Sequence, residues 1–92
     1  MRCEAEGVII VALPVVNGIT SKGDEFEKRE FVLQCDDWYK KKMKFSMISF
    51  GGPMEDYPEV GDSVSVKFTV EAMESKGRWF NEVRAYNITR RG

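Results

Sequence analysis

Apolar and polar residues alternate along most of this chain with a period of two, the spacing of a strand with one face in a core and one in water. The clearest run is residues 63–73, where Val64, Val66, Phe68, Val70 and Ala72 share the inward face and Ser65, Lys67, Thr69 and Glu71 the outward one. Residues 30–35 repeat the pattern with Phe31, Leu33 and Cys35 inward, and residues 42–50 do so with Met43, Phe45 and Met47. No segment of ordinary helix length carries the helical period.

Two further strands are less regular. The first, about residues 2–16, is apolar on both sides near its middle, as expected of a strand that bends and joins two sheets; Gly7 and Pro14 are its candidate bend points. The last, about residues 79–89, changes phase: Val83 and Ala85 share one face, Tyr86 and Ile88 the other. A bulge near Ala85 reconciles them. Turn-forming stretches at 17–24, 36–40, 51–62 and 75–77 separate the five strands, and the third leaves room for one helical turn at most. Ninety-two residues support one core, so residues 1–92 read as a single domain. Five strands are too few for a large sandwich but enough to close on themselves with little free edge. The expected fold is all-β, a five-stranded antiparallel Greek-key barrel of the oligonucleotide-binding (OB) class.

Composition narrows the function. With 42% hydrophobic and 12% aromatic residues the chain should fold, but its net charge of −1 gives no long-range attraction to polyanions. The distribution of charge therefore matters more than its sum. Lys40, Lys41, Lys42 and Lys44 form a basic run, with more positive charge at Lys28 and Arg29, Lys76 and Arg78, and Arg90 and Arg91. Acids gather near Glu4, at 24–27, at Asp36 and Asp37, and at 55–62. A mixed, solvated surface is the plain reading of such a pattern.

Other classes lose their tools. There is no histidine, the commonest general base and zinc ligand, and no phosphate loop or dinucleotide fingerprint. Cys3 and Cys35 are too few for a structural zinc site or a disulfide framework, which fits a reduced, cytoplasmic chain. Asp36 and Asp37, like Glu55 and Asp56, are neighbours in turns and read as solvated loop charge. The apolar run at 7–16 is too short for a membrane span and is broken by Pro14. No enzyme activity, cofactor, metal or membrane association is expected.

Lys76-Gly77-Arg78-Trp79 followed by Glu82-Val83-Arg84-Ala85 resembles the loop and final strand of bacterial single-stranded-DNA-binding proteins. Val60-Gly61-Asp62 leading into Val64 and Val66 resembles the glycine turn before their fourth strand, and residues 38–51 resemble their aromatic and basic third strand. The chain is most similar to a family of short OB-fold proteins of bacteria and phages, classed as a domain of unknown function, over nearly its whole length. The resemblance implies a homodimer or homotetramer assembled through the first strand. Two departures stand out: the connection at 51–62 is short, and Arg90, Arg91 and Gly92 replace the flexible acidic tail that recruits replication and repair partners, so recruitment by that route is not expected.

Single strands are held by cations along the phosphates and exposed rings under the bases, with stacking contributing about 1–3 kcal/mol per base. Trp38 and Tyr39 stand in a turn before Lys40, Lys42 and Lys44; they are candidate stacking rings, with capping of the barrel end as the alternative for Trp38. Lys42 and Lys44 alternate with Met43 and Phe45 and should line an outer face, which in an OB barrel is the binding face. Lys76, Arg78 and Trp79 belong to the loop flanking it, with Trp79 fitting core or groove equally and Phe80 taking the other face. Lys22, Lys28 and Arg29 complete the candidate set from the first loop and second strand. The expected partner is single-stranded DNA, or RNA, bound with little sequence preference. The alternative is a protein-interaction module with no nucleic-acid partner, and oligosaccharide binding is a minor third.

Overall fold

The computed structural model of the protein describes residues 1–91, so Gly92 lies outside the described residues. Six strands follow one another: β1 (Arg2–Ala12), β2 (Val16–Ile19), β3 (Glu25–Cys35), β4 (Lys42–Phe50), β5 (Ser63–Ser75) and β6 (Arg78–Arg90). The first expected strand is thus two. Pro14, with no N–H to donate and a fixed φ, lies in the break between β1 and β2. β2 takes up part of the stretch expected to be a turn, leaving the true turn after Ile19. β3 begins five residues earlier than its alternation suggests, because Glu27 and Arg29 occupy inward positions there.

The strands form one sheet in the order β1-β5-β6-β4-β3-β2, and β1 also pairs with β3. The first half of β1, from Arg2 to Val8, lies against β5, and the second half, from Gly7 to Ala12, against β3. The sheet therefore returns upon its first strand. The exchange of partners falls at Gly7, which pairs with Val64 on one side and Cys35 on the other. A Cβ there would lie 2.1 Å from the Gln34 carbonyl oxygen, so only glycine lets the strands approach. An irregularity between Ile9 and Val11 adds to the bend.

One pairing departs from the expected antiparallel set: β4 and β6 meet in parallel at Ser46 and Arg84. Two chain reversals, into β5 and into β6, separate them, so they run the same way.

Ile9, Phe31, Leu33, Phe45, Val64, Val66 and Phe68 form the buried core, with Cys3, Cys35, Met43, Met47, Val70, Val83, Ala85 and Ile88 packed around it. Nearly every inward position of the alternating runs is present. Ala72 is the exception and is exposed. The Val70 N–H donates to the Met1 carbonyl at 3.0 Å, the last link between β5 and the start of the chain. Beyond it the β5–β6 hairpin runs on as a two-stranded arm, with no core beneath Ala72. The expected bulge in the last strand lies one residue from Ala85: the register moves from Lys67 opposite Asn87 to Phe68 opposite Ala85, leaving Tyr86 as the extra residue.

The segment 51–62 closes one end of the core without a helix, through Tyr57. It is held by Glu27, whose carboxylate accepts the Met54 N–H at 2.9 Å and the Arg29 Nε–H at 3.1 Å. The Arg29 guanidinium in turn lies 3.8 Å from the centre of the Tyr57 ring, a cation–π contact. Those bonds, the Met54 N–H first and Arg29 after it, hold the Glu27 carboxyl below its usual range against an opposing desolvation. Arg90 ties the other side of the segment, donating to Asp62 at 3.2 Å, Asp56 at 3.3 Å and the Tyr57 carbonyl at 2.9 Å.

Candidate nucleic-acid interface

With Phe31, Leu33 and Phe45 directed to the core, strand alternation directs Lys28, Glu30, Lys42 and Lys44 to the outer face of the β3–β4 pair. The arm of β5 and β6 rises beside this face. Between them lies a groove of about 440 Å³, floored by Lys28, Glu30 and Lys44 and walled by Met73, Phe80 and Glu82. Ser46 joins floor to wall, its hydroxyl donating to the Val83 carbonyl at 3.3 Å. Met73 and Phe80 face each other across the arm, so the wall is apolar at its rim and acidic below.

The groove is electrostatically mixed. Lys44 stands 3.8 Å from Glu30, and Lys28 stands 4.0 Å from Glu82. Arg84 also pairs with Glu82, at 3.0 Å. All three cations already have a carboxylate, and each pair is open enough to water for its strength to be modest.

The β3–β4 loop carries the two most prominent rings. Its backbone is held by the Lys41 carbonyl accepting from Cys35 N–H at 2.8 Å and by Asp37 accepting from Lys40 N–H at 3.0 Å. The Asp37 carboxylate also accepts the Lys41 N–H at 3.1 Å. Lys40 adopts φ 50°, the left-handed conformation that completes the reversal. This ordered turn leaves Trp38 91% and Tyr39 75% exposed, so Trp38 caps nothing. The Lys41 ammonium lies 5.5 Å from the Tyr39 ring centre.

At the far end of the arm, Lys76 and Gly77 form a two-residue hairpin turn, with φ of 51° and 79°. Lys76 and Arg78 are exposed there. Trp79 is 68% exposed and sits opposite Glu74, on the face of the arm turned away from Met73 and Phe80. It lines neither core nor groove, which corrects both expectations for it. Phe80, half-exposed, is the ring in the groove.

The remaining candidates divide. Arg29 faces the Glu27–Tyr57 contact and not the groove, because it shares the inward register of Glu27 and Phe31. Lys22 is exposed in the β2–β3 turn, at the opposite end of β3 from Trp38 and roughly 30 Å away at strand rise. Arg91 is held by Asp36 at 2.6 Å and Glu6 at 3.2 Å, so the last two arginines add little free positive charge. Among the described residues Lys22, Lys40, Lys42, Lys76 and Arg78 make no ion pair. The structure thus gathers Lys28 and Lys44 in the groove, with Lys40 and Lys42 next to Trp38 and Tyr39 along the chain and Lys76 and Arg78 next to Trp79, as three clusters and not one point.

Sequence reasoning passed over Phe26 and Phe50. They pair across β3 and β4 on the outer face beyond Lys28, with ring centres 6.5 Å apart and Phe50 65% exposed. The signal was present: Phe50 keeps the parity of Lys42 and Lys44. A larger hollow, about 530 Å³, opens beside them and β2, but Glu25 and Glu27 make its charged lining acidic. Burial, and then Asp37 and Asp36, push the Cys35 thiol above the usual range, which disfavours its thiolate.

Fold and groove together define an all-β domain with exposed rings and cations along one outer face. The family known as "Domain of unknown function (DUF3127)" matches residues 4–89, and the chain belongs to it. No curated protein matches the chain.

Proposed function

We propose that the chain is an OB-class barrel that binds single-stranded DNA, or RNA, with little sequence preference. The cyclic order of pairing, β1 to β5 to β6 to β4 to β3 and back to β1, supports the barrel, with β2 a short addition at the edge. The observation that carries the binding reading is the groove in which Phe80 faces Lys28 and Lys44, flanked by two strongly exposed rings on an ordered turn. Bases stack on Phe80, Trp38 and Tyr39, with Trp79 reached by a strand that passes over the arm. Lys40, Lys42, Lys76 and Arg78 take phosphates without first leaving a carboxylate.

About four such contacts give a log–log salt slope near −3, so binding is modest and weakens steeply with salt. A homodimer or homotetramer would raise it by avidity. Titration with an oligothymidine at low salt tests the reading through tryptophan fluorescence. The expected result is quenching of Trp38 that reverses as salt is added; a folded protein with unchanged emission rejects it.

A protein-interaction module is the second reading, favoured by the outer edge of β2. No charged residue lies between Glu6 and Lys22, and Val16 and Ile19 are exposed. Edges left free and uncharged are uncommon in isolated domains. Ile19→Lys should abolish such an interaction and leave oligothymidine binding intact.

A further inference from the structure

We infer that the Glu82 carboxylate occupies the position of a ligand phosphate, so that Lys28 and Arg84 form an anion subsite beside Phe80. This rests on the single-strand reading above and adds to it a residue, Arg84, that the charge pattern alone did not mark.

The geometry is that of a bridged anion. One Glu82 oxygen, Oε1, lies 3.0 Å from Arg84 Nη2 and 4.0 Å from Lys28 Nζ. Those two cations reach it from different strands, Arg84 from its own β6 and Lys28 from β3 across the groove. A guanidinium and an ammonium converging on one oxygen suit a phosphate at least as well as a carboxylate, since a phosphate offers more acceptor oxygens and more charge.

The position is right for a nucleotide. Glu82 and Phe80 are two residues apart on one face of β6, roughly 7 Å along the strand. A base on the Phe80 ring therefore leaves its phosphate near Lys28 and Arg84.

Glu82 is also poorly placed for stability alone. Glu71 pairs directly opposite it across the arm, a like-charge arrangement that works against the hairpin. Thr69, Glu71 and Arg84 line a small hollow with it, and the side chain keeps contact with water, so it can swing outward without disturbing the core. When a phosphate enters, Glu82 turns to solvent and its two cations change partner. The carboxylate thus acts as a built-in competitor that keeps binding weak and reversible.

Glu82→Gln tests this directly. Removing a partly exposed competing charge should tighten oligothymidine binding about two- to fivefold at low salt. Its salt slope should stay near the parent's, because Lys28 and Arg84 reach a phosphate in both proteins. Glu55→Gln, which makes the same change in net charge at an exposed position of the 51–62 segment, should leave both unchanged. Arg84→Gln should weaken binding by a similar factor, with circular dichroism verifying the fold of each variant. Equal binding by Glu82→Gln and the parent, or equal gains from Glu55→Gln, overturns the subsite and leaves the single-strand reading standing. If the parent itself fails to bind, the reading beneath it falls as well.

Discussion

Replacing Gly7 by alanine adds one methyl group at the point where β1 exchanges β5 for β3. That methyl would lie 2.1 Å from the Gln34 carbonyl oxygen, 2.8 Å from its carbon and 2.9 Å from the Cys35 Cα, all backbone atoms that no rotamer change can move. Relief requires β1 and β3 to separate by more than an ångström. The separation cannot be absorbed on the other side, because Gly7 also pairs with Val64, which is fully buried. Overpacking of this kind costs roughly 1–3 kcal/mol, and two broken ladder hydrogen bonds add about 0.5–1.5 kcal/mol each. The reduced freedom of alanine in the unfolded chain returns only about 0.4–1 kcal/mol. The clash wins, with a net loss of about 2–4 kcal/mol and a fall in Tm of at least ~10 °C. Urea unfolding followed by far-ultraviolet circular dichroism is the suitable assay, because both tryptophans are exposed in the folded state and report little on the core. Gly52→Ala is the control: nothing lies within 4 Å of its added methyl. A Gly7→Ala protein within 0.5 kcal/mol of its parent would refute the close-approach argument.

Three other outcomes follow from the same contacts. The Glu27 carboxyl sits below its usual range, so its contribution to stability is present above its ordinary value of 4.5 and fades as pH falls through the depressed one. Glu27→Gln should therefore destabilise at neutral pH, and the gap to the parent should close in acid; a gap independent of pH would show that the charge is irrelevant. Phe80→Ala should weaken oligothymidine binding by about 1–3 kcal/mol, while Trp79→Ala, on the other face of the arm, costs less; the reverse order in fluorescence anisotropy would move the site off the groove. Lys40→Ala with Lys42→Ala should flatten the salt slope by about 1.4, and an unchanged slope would clear both lysines of phosphate contact.

The fold was legible wherever burial is one-sided. The inward positions of β3, β4 and β5 could be read because water and core alternate along them, and the phase change near Ala85 announced the bulge. The break at Pro14 was visible as a bend but not as a division, since only pairing partners separate one bent strand from two. Ala72 failed because alternation continues along the arm after the core beneath it has ended. The site was legible in composition more than in aim. Lys42 and Lys44 follow from parity, yet which side of the arm Trp79 and Phe80 face depends on a register set by a turn, and Arg29 was lost to a carboxylate two residues away. Nothing local announces that Glu82 stands between Lys28 and Arg84, because that contact crosses from β3 to β6.

The shared first strand also sets the order of events as the chain is made. β1 can meet β3 once residue 35 has emerged, but the part of β5 that pairs with it is present only after residue 69, and the parallel link at Arg84 comes later still. Until then Ile9, Leu33 and Phe45 have no Val64, Val66 or Phe68 to cover them. Such non-local closure is slow, and a nascent chain halted near residue 60 presents half a core to chaperones and proteases. The sheet can return upon its first strand only when β6 has emerged, and a piece without β5 lacks that side of the core.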